Sequence, residues 1–111
     1  MVSVSDKILQ NIVSDILKEA NAEKIILFGS YARGEENENS DLDILIIEKE
    51  PFTKERSRRK EIHKIRQALS KYRIPKDILI YDKNEFENWK DSINHIIAQS
   101  IKEGRILYER G

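Results

Sequence analysis

The sequence predicts a small α/β (α+β) domain, a mixed β-sheet backed by helices, and three observations carry that expectation. The first is a pair of short, nearly continuous apolar runs, Leu42 to Ile47 ("LDILII") and Asp77 to Tyr81 ("DILIY"). Runs of that length and density read as strands covered on both faces. The second is the set of one-sided apolar stripes with a helical period that separate these runs. The third is the order in which they alternate, helix, strand, helix, strand, helix, strand, helix, which is the order of a sheet with helices packed against it.

Each element has its own local reason. Ile8, Leu9, Ile12, Val13, Ile16 and Leu17 recur on one side of a helix over residues 5 to 20, with Ser3 or Ser5 as its cap. Lys24 to Phe28 is a β-rich run that stops at Gly29, after which Ser30 to Arg33 can start a helical turn. The stretch "EENENS", 35 to 40, has no apolar residue to bury and reads as an exposed loop. Leu42 to Ile47 is the central strand. After Pro51, Thr53 is placed to cap a long basic helix with Ile62, Ile65, Leu69 and Tyr72 on one face, and Pro75 ends the connection to the third strand. Asp82, with Glu85 three residues on, has the spacing of a capping box for a last helix. Phe86, Trp89, Ile93, Ile96, Ile97 and Ile101 form its stripe up to Gly104, a candidate C′ glycine, and "RILYE" is suited to a short edge strand.

Length and composition narrow the function. At 111 residues the chain is a single domain, 1–111, with one modest core. Twenty basic and twenty acidic residues cancel, so no net field draws in nucleic acid or an anionic membrane surface. The basic stretch "KERSRRKEIHKIR", 54 to 66, reads as the solvated face of an amphipathic helix, with Glu55 and Glu61 mixed in. The chain has no cysteine, which excludes thiolate metal sites and a cysteine nucleophile and agrees with a cytoplasmic location. Its longest apolar runs, "IILF" and "ILII", are four residues, too short to span a membrane. His63 and His95 lack a second histidine at ligand spacing and read as structural or surface residues.

The chemistry gathers in "LFGSYARGEENENSDLDILII", residues 27 to 47. Gly29 lets the chain turn sharply and bring its backbone close to a ligand, while Ser30 and the amides that follow can receive a phosphate. Asp41 and Asp43 are two apart on a strand, so both point to one face. Carboxylates that close repel unless a cation lies between them, and two carboxylates with phosphate oxygens are a common way to hold Mg²⁺. Asp77 opens the next strand and can join them. Three carboxylates can hold two ions, the arrangement that serves an in-line displacement at phosphorus. Asp77 also reads as a strand-start residue, and Asp82 is a rival third carboxylate whose place before a helix favours N-capping. Arg33, on the face of Ser30, reads equally as a phosphate ligand or as a surface ion-pair partner.

Gly29-Ser30, ten residues, Asp41-Leu42-Asp43 and then Asp77 on a following strand together resemble the nucleotidyltransferase signature of the DNA polymerase β superfamily. More narrowly, "GSYARG" at 29 to 34 and "SDLD" at 40 to 43 resemble the minimal nucleotidyltransferase (MNT) proteins, and the likeness extends over the whole chain. The resemblance implies the polymerase β-like fold. It implies Asp41, Asp43 and Asp77 as ligands of Mg²⁺ or Mn²⁺, Gly29 and Ser30 as the triphosphate site with Arg33 beside it, and Asp77 as base for the acceptor hydroxyl. It also implies transfer of AMP from ATP to a hydroxyl of a HEPN-domain partner, as the antitoxin of a toxin–antitoxin pair. The alternative is an antitoxin that neutralises its partner by binding and occlusion alone. So small a chain leaves no room for a second domain to complete the site, which points to a partner protein or to self-association.

Overall fold

In the computed structural model, which describes residues 4–93 and 95–110, four strands form one sheet in the order β3-β2-β1-β4. Helix α1, Asp6–Glu19, starts at Ser5, whose hydroxyl accepts the Ile8 N–H at 3.2 Å. Ser3, the other candidate cap, lies outside the described residues. Strand β1, Ala22–Phe28, leads through the single-turn helix α2, Gly29–Arg33, and the polar loop to β2, Leu42–Glu48. β1 and β2 are antiparallel. Helix α3, Arg58–Ala68, carries the chain across to β3, Lys76–Asp82, which runs parallel to β2. Two helices follow, α4, Lys83–Trp89, and α5, Ile96–Glu103, and then the edge strand β4, Arg105–Glu109, antiparallel to β1.

β2 is the centre of this arrangement. Leu42, Ile44, Leu45, Ile46 and Ile47 are all essentially inaccessible. Each fully buried aliphatic side chain stabilises by roughly 1.5–3 kcal/mol, so the strand is anchored along its length. Alternation divides the faces. Ile44 and Ile46 join Ile25, Leu27, Ile78 and Ile80 under α1 and α3, while Leu45 and Ile47 join Ile26, Phe86 and Ile97 under α4 and α5.

Two expected boundaries move. The basic helix begins at Arg58, not after Thr53, because residues 53 to 56 close a turn on themselves: the Thr53 hydroxyl accepts the Arg56 N–H at 3.0 Å and the Arg56 carbonyl accepts the Thr53 N–H at 3.0 Å. Ser57 takes over as cap, its hydroxyl accepting the Lys60 N–H. The last stripe is not one helix but two, α4 ending at Trp89 and α5 starting at Ile96, which meet the same cluster. Ile93 therefore falls outside the packing and is 92% exposed.

Of the remaining local signals, the capping box forms as expected and the C′ glycine does not. Asp82 and Glu85 form the reciprocal capping box. His95 caps α5, its Nδ1 accepting the Ile97 N–H at 3.1 Å, and stacks on Trp89 with ring centroids 4.6 Å apart. Gly104 stops α5 with extended backbone and not as a left-handed C′ residue. Its lack of a side chain is a matter of space, since a Cβ would stand 2.1 Å from the Ser100 carbonyl oxygen. No helix among the described residues is long and apolar enough to cross a membrane.

Candidate active site at the start of β2

The register of the sheet brings the sequence-predicted residues to one rim. Asp43 lies opposite Phe28, the last residue of β1, and opposite Asp77 of β3. Gly29 follows Phe28 directly, so the glycine turn and both aspartates meet where β1 ends and β2 and β3 begin. Asp43 and Asp77 have the strand parity of Leu45, Ile47, Leu79 and Tyr81 and so share the face under α4 and α5. Asp41 stands just before β2 and is exposed, as is Asp77, while Asp43 is half-buried.

Contact between the two motifs is direct. Gly29 has φ +73°, a conformation in which side chains are strained, and a Cβ there would lie 2.1 Å from Oδ2 of Asp43. The Asp43 carboxylate thus packs into the space that glycine leaves. No side chain caps the first turn of α2, so its leading amides have no side-chain partner. Burial, then the nearby Asp77 and Asp41 carboxylates, push the Asp43 carboxyl above its ordinary value, and Arg33 pulls it partly back.

These features bear on whether a cation fits. The donors are hard carboxylate oxygens, the set that Mg²⁺ and Mn²⁺ accept, and the charge on Asp43 is destabilised by its like-charged neighbours, a cost that a bound cation relieves. Asp41, Asp43 and Asp77 fit a divalent ion in kind and in electrostatics. As they stand, no three carboxylate or imidazole groups among the described residues are close enough to hold an ion between them.

Several residues that the sequence reading did not single out hold this rim in shape. The Leu42 N–H donates to the Pro75 carbonyl at 2.8 Å, and the Lys76 ammonium donates to the carbonyls of Tyr72 at 2.6 Å and Ile74 at 2.9 Å. Those bonds fix the start of β3, and with it Asp77, against the start of β2. In the loop before Asp41, the Ser40 hydroxyl accepts the Asn37 N–H at 2.9 Å and the Asn37 side chain accepts the Asn39 N–H at 2.8 Å. Arg33 is exposed and paired, its Nε 2.5 Å from Glu35 and its Nη1 3.6 Å from Glu103 of α5. Glu35, its own burial and Glu103 act on it before Asp43 does, and the net effect raises its pKa. Both readings of Arg33 survive, since it is an ion-pair partner that also lies in the field of the aspartates. A lysine at the start of a strand, or a glutamate at a helix end, carries no local signal of such a role.

With this geometry in place, comparison with known proteins gives a family. The model of the family described as nucleotidyltransferase domain matches residues 7–108. The chain belongs to the nucleotidyltransferase domain family. The match takes in β1 to β3, β4 up to Tyr108 and every residue of the rim. One relative, a Methanocaldococcus jannaschii protein provisionally named a protein adenylyltransferase, is 47% identical over 68 residues, 61% of this chain and 63% of that protein, so the chain matches somewhat under two thirds of that relative's length. Among solved structures, a Sulfolobus solfataricus protein provisionally described as a nucleotidyltransferase superposes with TM-score 0.63 at 24% identity, covering 95% of this chain and 80% of the other. A chain of the complex between the tri-AMPylated Shewanella oneidensis HEPN toxin and its MNT antitoxin superposes with TM-score 0.53 at 19% identity, covering 96% and 74%. At such identities these two structures establish the nucleotidyltransferase fold, the architecture expected from the sequence.

Proposed function

We propose that this nucleotidyltransferase-family chain transfers AMP from ATP, in the presence of a divalent metal, to a hydroxyl of a partner protein of the HEPN type, and that it acts in the cytoplasm as the antitoxin of that pair. One observation carries the reading: Asp43 touches the Gly29 turn on one side and pairs with Asp77 on the other, so a triphosphate tail at the turn has its α-phosphorus beside the aspartates. The Shewanella complex, an AMPylated HEPN toxin with an MNT antitoxin, supports the choice of acceptor.

The reaction balances simply. The acceptor oxygen forms a bond to the α-phosphorus, the α–β phosphoanhydride breaks, and pyrophosphate leaves. Asp77, exposed at the rim, takes the hydroxyl proton. The α2 amides and Ser30 hold the departing phosphates, and Arg33 adds positive charge on their side. Asp41, Asp43 and Asp77 would hold Mg²⁺ or Mn²⁺, two ions if all three carboxylates engage, which when bound screens phosphate charge and lowers the pKa of a coordinated hydroxyl.

A second reading, an antitoxin that works by occlusion, draws on the aspartates standing apart. Calorimetric titration of AMP-PNP, a non-transferable ATP analogue, with Mg²⁺ separates the two. Catalysis expects saturable binding that Asp43→Asn abolishes. Absence of binding to the wild-type protein, or equal binding to both, would contradict it.

A further inference from the structure

At the far end of β2 a second carboxylate is held in an unusual way. Glu48, the last residue of the strand, is 1% exposed. Its Oε1 is 3.4 Å from Nη2 of Arg56, while Oε2 is buried without a hydrogen-bond partner among the described residues. Arg56 is shared, since Nη2 also donates to the Glu50 carbonyl at 2.7 Å and Nη1 lies 3.4 Å from Glu61. The other charged groups around it come from three elements. Glu61 and Lys64 lie on α3, 2.8 Å apart, with Glu19 of α1 acting on Lys64. Asp82 of β3 is the register partner of Glu48, but its carboxylate is occupied by the N–H groups of Glu85 and Phe52. Arg58 lies beyond, paired with Glu85.

An ionised carboxylate with one buried oxygen unmet is costly, and a neutral one much less so. We propose that Glu48 is a proton-operated clasp on the connection between β2 and α3: protonated, it stays buried and residues 49 to 57 lie closed over it; ionised, its unmet oxygen draws in water and the connection opens. Burial, then the like charge of Glu61, push the carboxyl up to about 7, against the pull of Arg56 and Lys64, which places the change near neutrality. Because the folded value is raised above the ordinary 4.5, the stability this group contributes is complete below about 4.5 and is lost as pH climbs to about 7.

Hydrogen–deuterium exchange of the peptide covering 49 to 57, corrected for intrinsic rate, tests the clasp in the free protein and does not depend on its activity. Between pH 6 and pH 8.5 the ionised fraction rises about tenfold, and exchange should accelerate by a similar factor. Glu48→Gln should hold the peptide in the slow regime throughout. Glu61→Gln removes a like charge and a competitor for Arg56, and should move the transition to lower pH. Should Glu48→Gln not fold, the Glu61→Gln result decides. A wild-type peptide with no acceleration, the same acceleration in Glu48→Gln, or an unmoved transition in Glu61→Gln overturns the proposal.

Discussion

Gly29 and Asp43 occupy one space: the carboxylate of the second lies where the side chain of the first would be, 2.1 Å from its Cβ position. The glycine motif and the acidic motif are therefore one site and not two adjacent ones. Gly29→Ala should drive the Asp43 carboxylate off the rim and strain a backbone held at φ +73°. The expected stability loss is about 1–2 kcal/mol from the left-handed backbone, measured by thermal unfolding. Activity should fall at least about a hundredfold, the scale of a misplacement near 1 Å.

Asp43→Asn separates charge from shape. The Asp43 carboxyl is raised above its ordinary value by burial and by Asp77 and Asp41, so at pH 7 the ionised form opposes folding when no metal is bound. The variant should melt slightly higher than the wild type in chelator. Mg²⁺ or Mn²⁺ at tenfold its dissociation constant stabilises a binding site by about 1.4 kcal/mol. The wild type should show that rise as a melting shift of about 5 °C, and the variant should show none.

Asp77 and Asp82, at opposite ends of β3, differ in what surrounds them. Asp77 is exposed at the rim; Asp82 is buried and satisfies the N–H groups of Glu85 and Phe52. Asp82→Ala should cost about 1–2 kcal/mol through the lost cap and leave the turnover rate unchanged below its melting range. Asp77→Asn should leave the melting temperature within about 2 °C, as substitutions at exposed sites usually do, and abolish transfer. Paired unfolding and transfer measurements on the two variants check both statements.

What the sequence shows well here is what depends on local chemistry and alternation. β2 was legible because six adjacent residues are nearly all apolar; the shared face of Asp43 and Asp77 was not, because it depends on the parallel register of β2 and β3, and Asp41, expected beside Asp43 on the strand, lies just before it. Nor was the start of α3 legible. Thr53 has the chemistry of a cap, but residues 53 to 56 are held in a turn by Arg56, whose partners Glu48 and Glu50 lie at and beyond the end of β2. The division between α4 and α5 was hidden for a related reason. Phe86 and Ile97 pack on the same cluster with Ile26 and Leu45, and a helical period on either side of a break looks like one stripe. At the site, the braces were invisible. Lys76 works by bonding two backbone carbonyls, and Glu103 by meeting Arg33 across the fold; neither leaves a local pattern.

The proposed activity is transfer of a nucleoside monophosphate to a protein by the Gly29 turn and the aspartate rim. Intact-mass spectrometry of the product of the neighbouring gene, incubated with this chain, Mg²⁺ and each ribonucleoside triphosphate in turn, tests that directly. Expected is a mass increase of one or more AMP units with ATP and none with the Asp43→Asn variant. An unchanged mass while the two proteins bind tightly, or the same increase with Asp43→Asn, would contradict it.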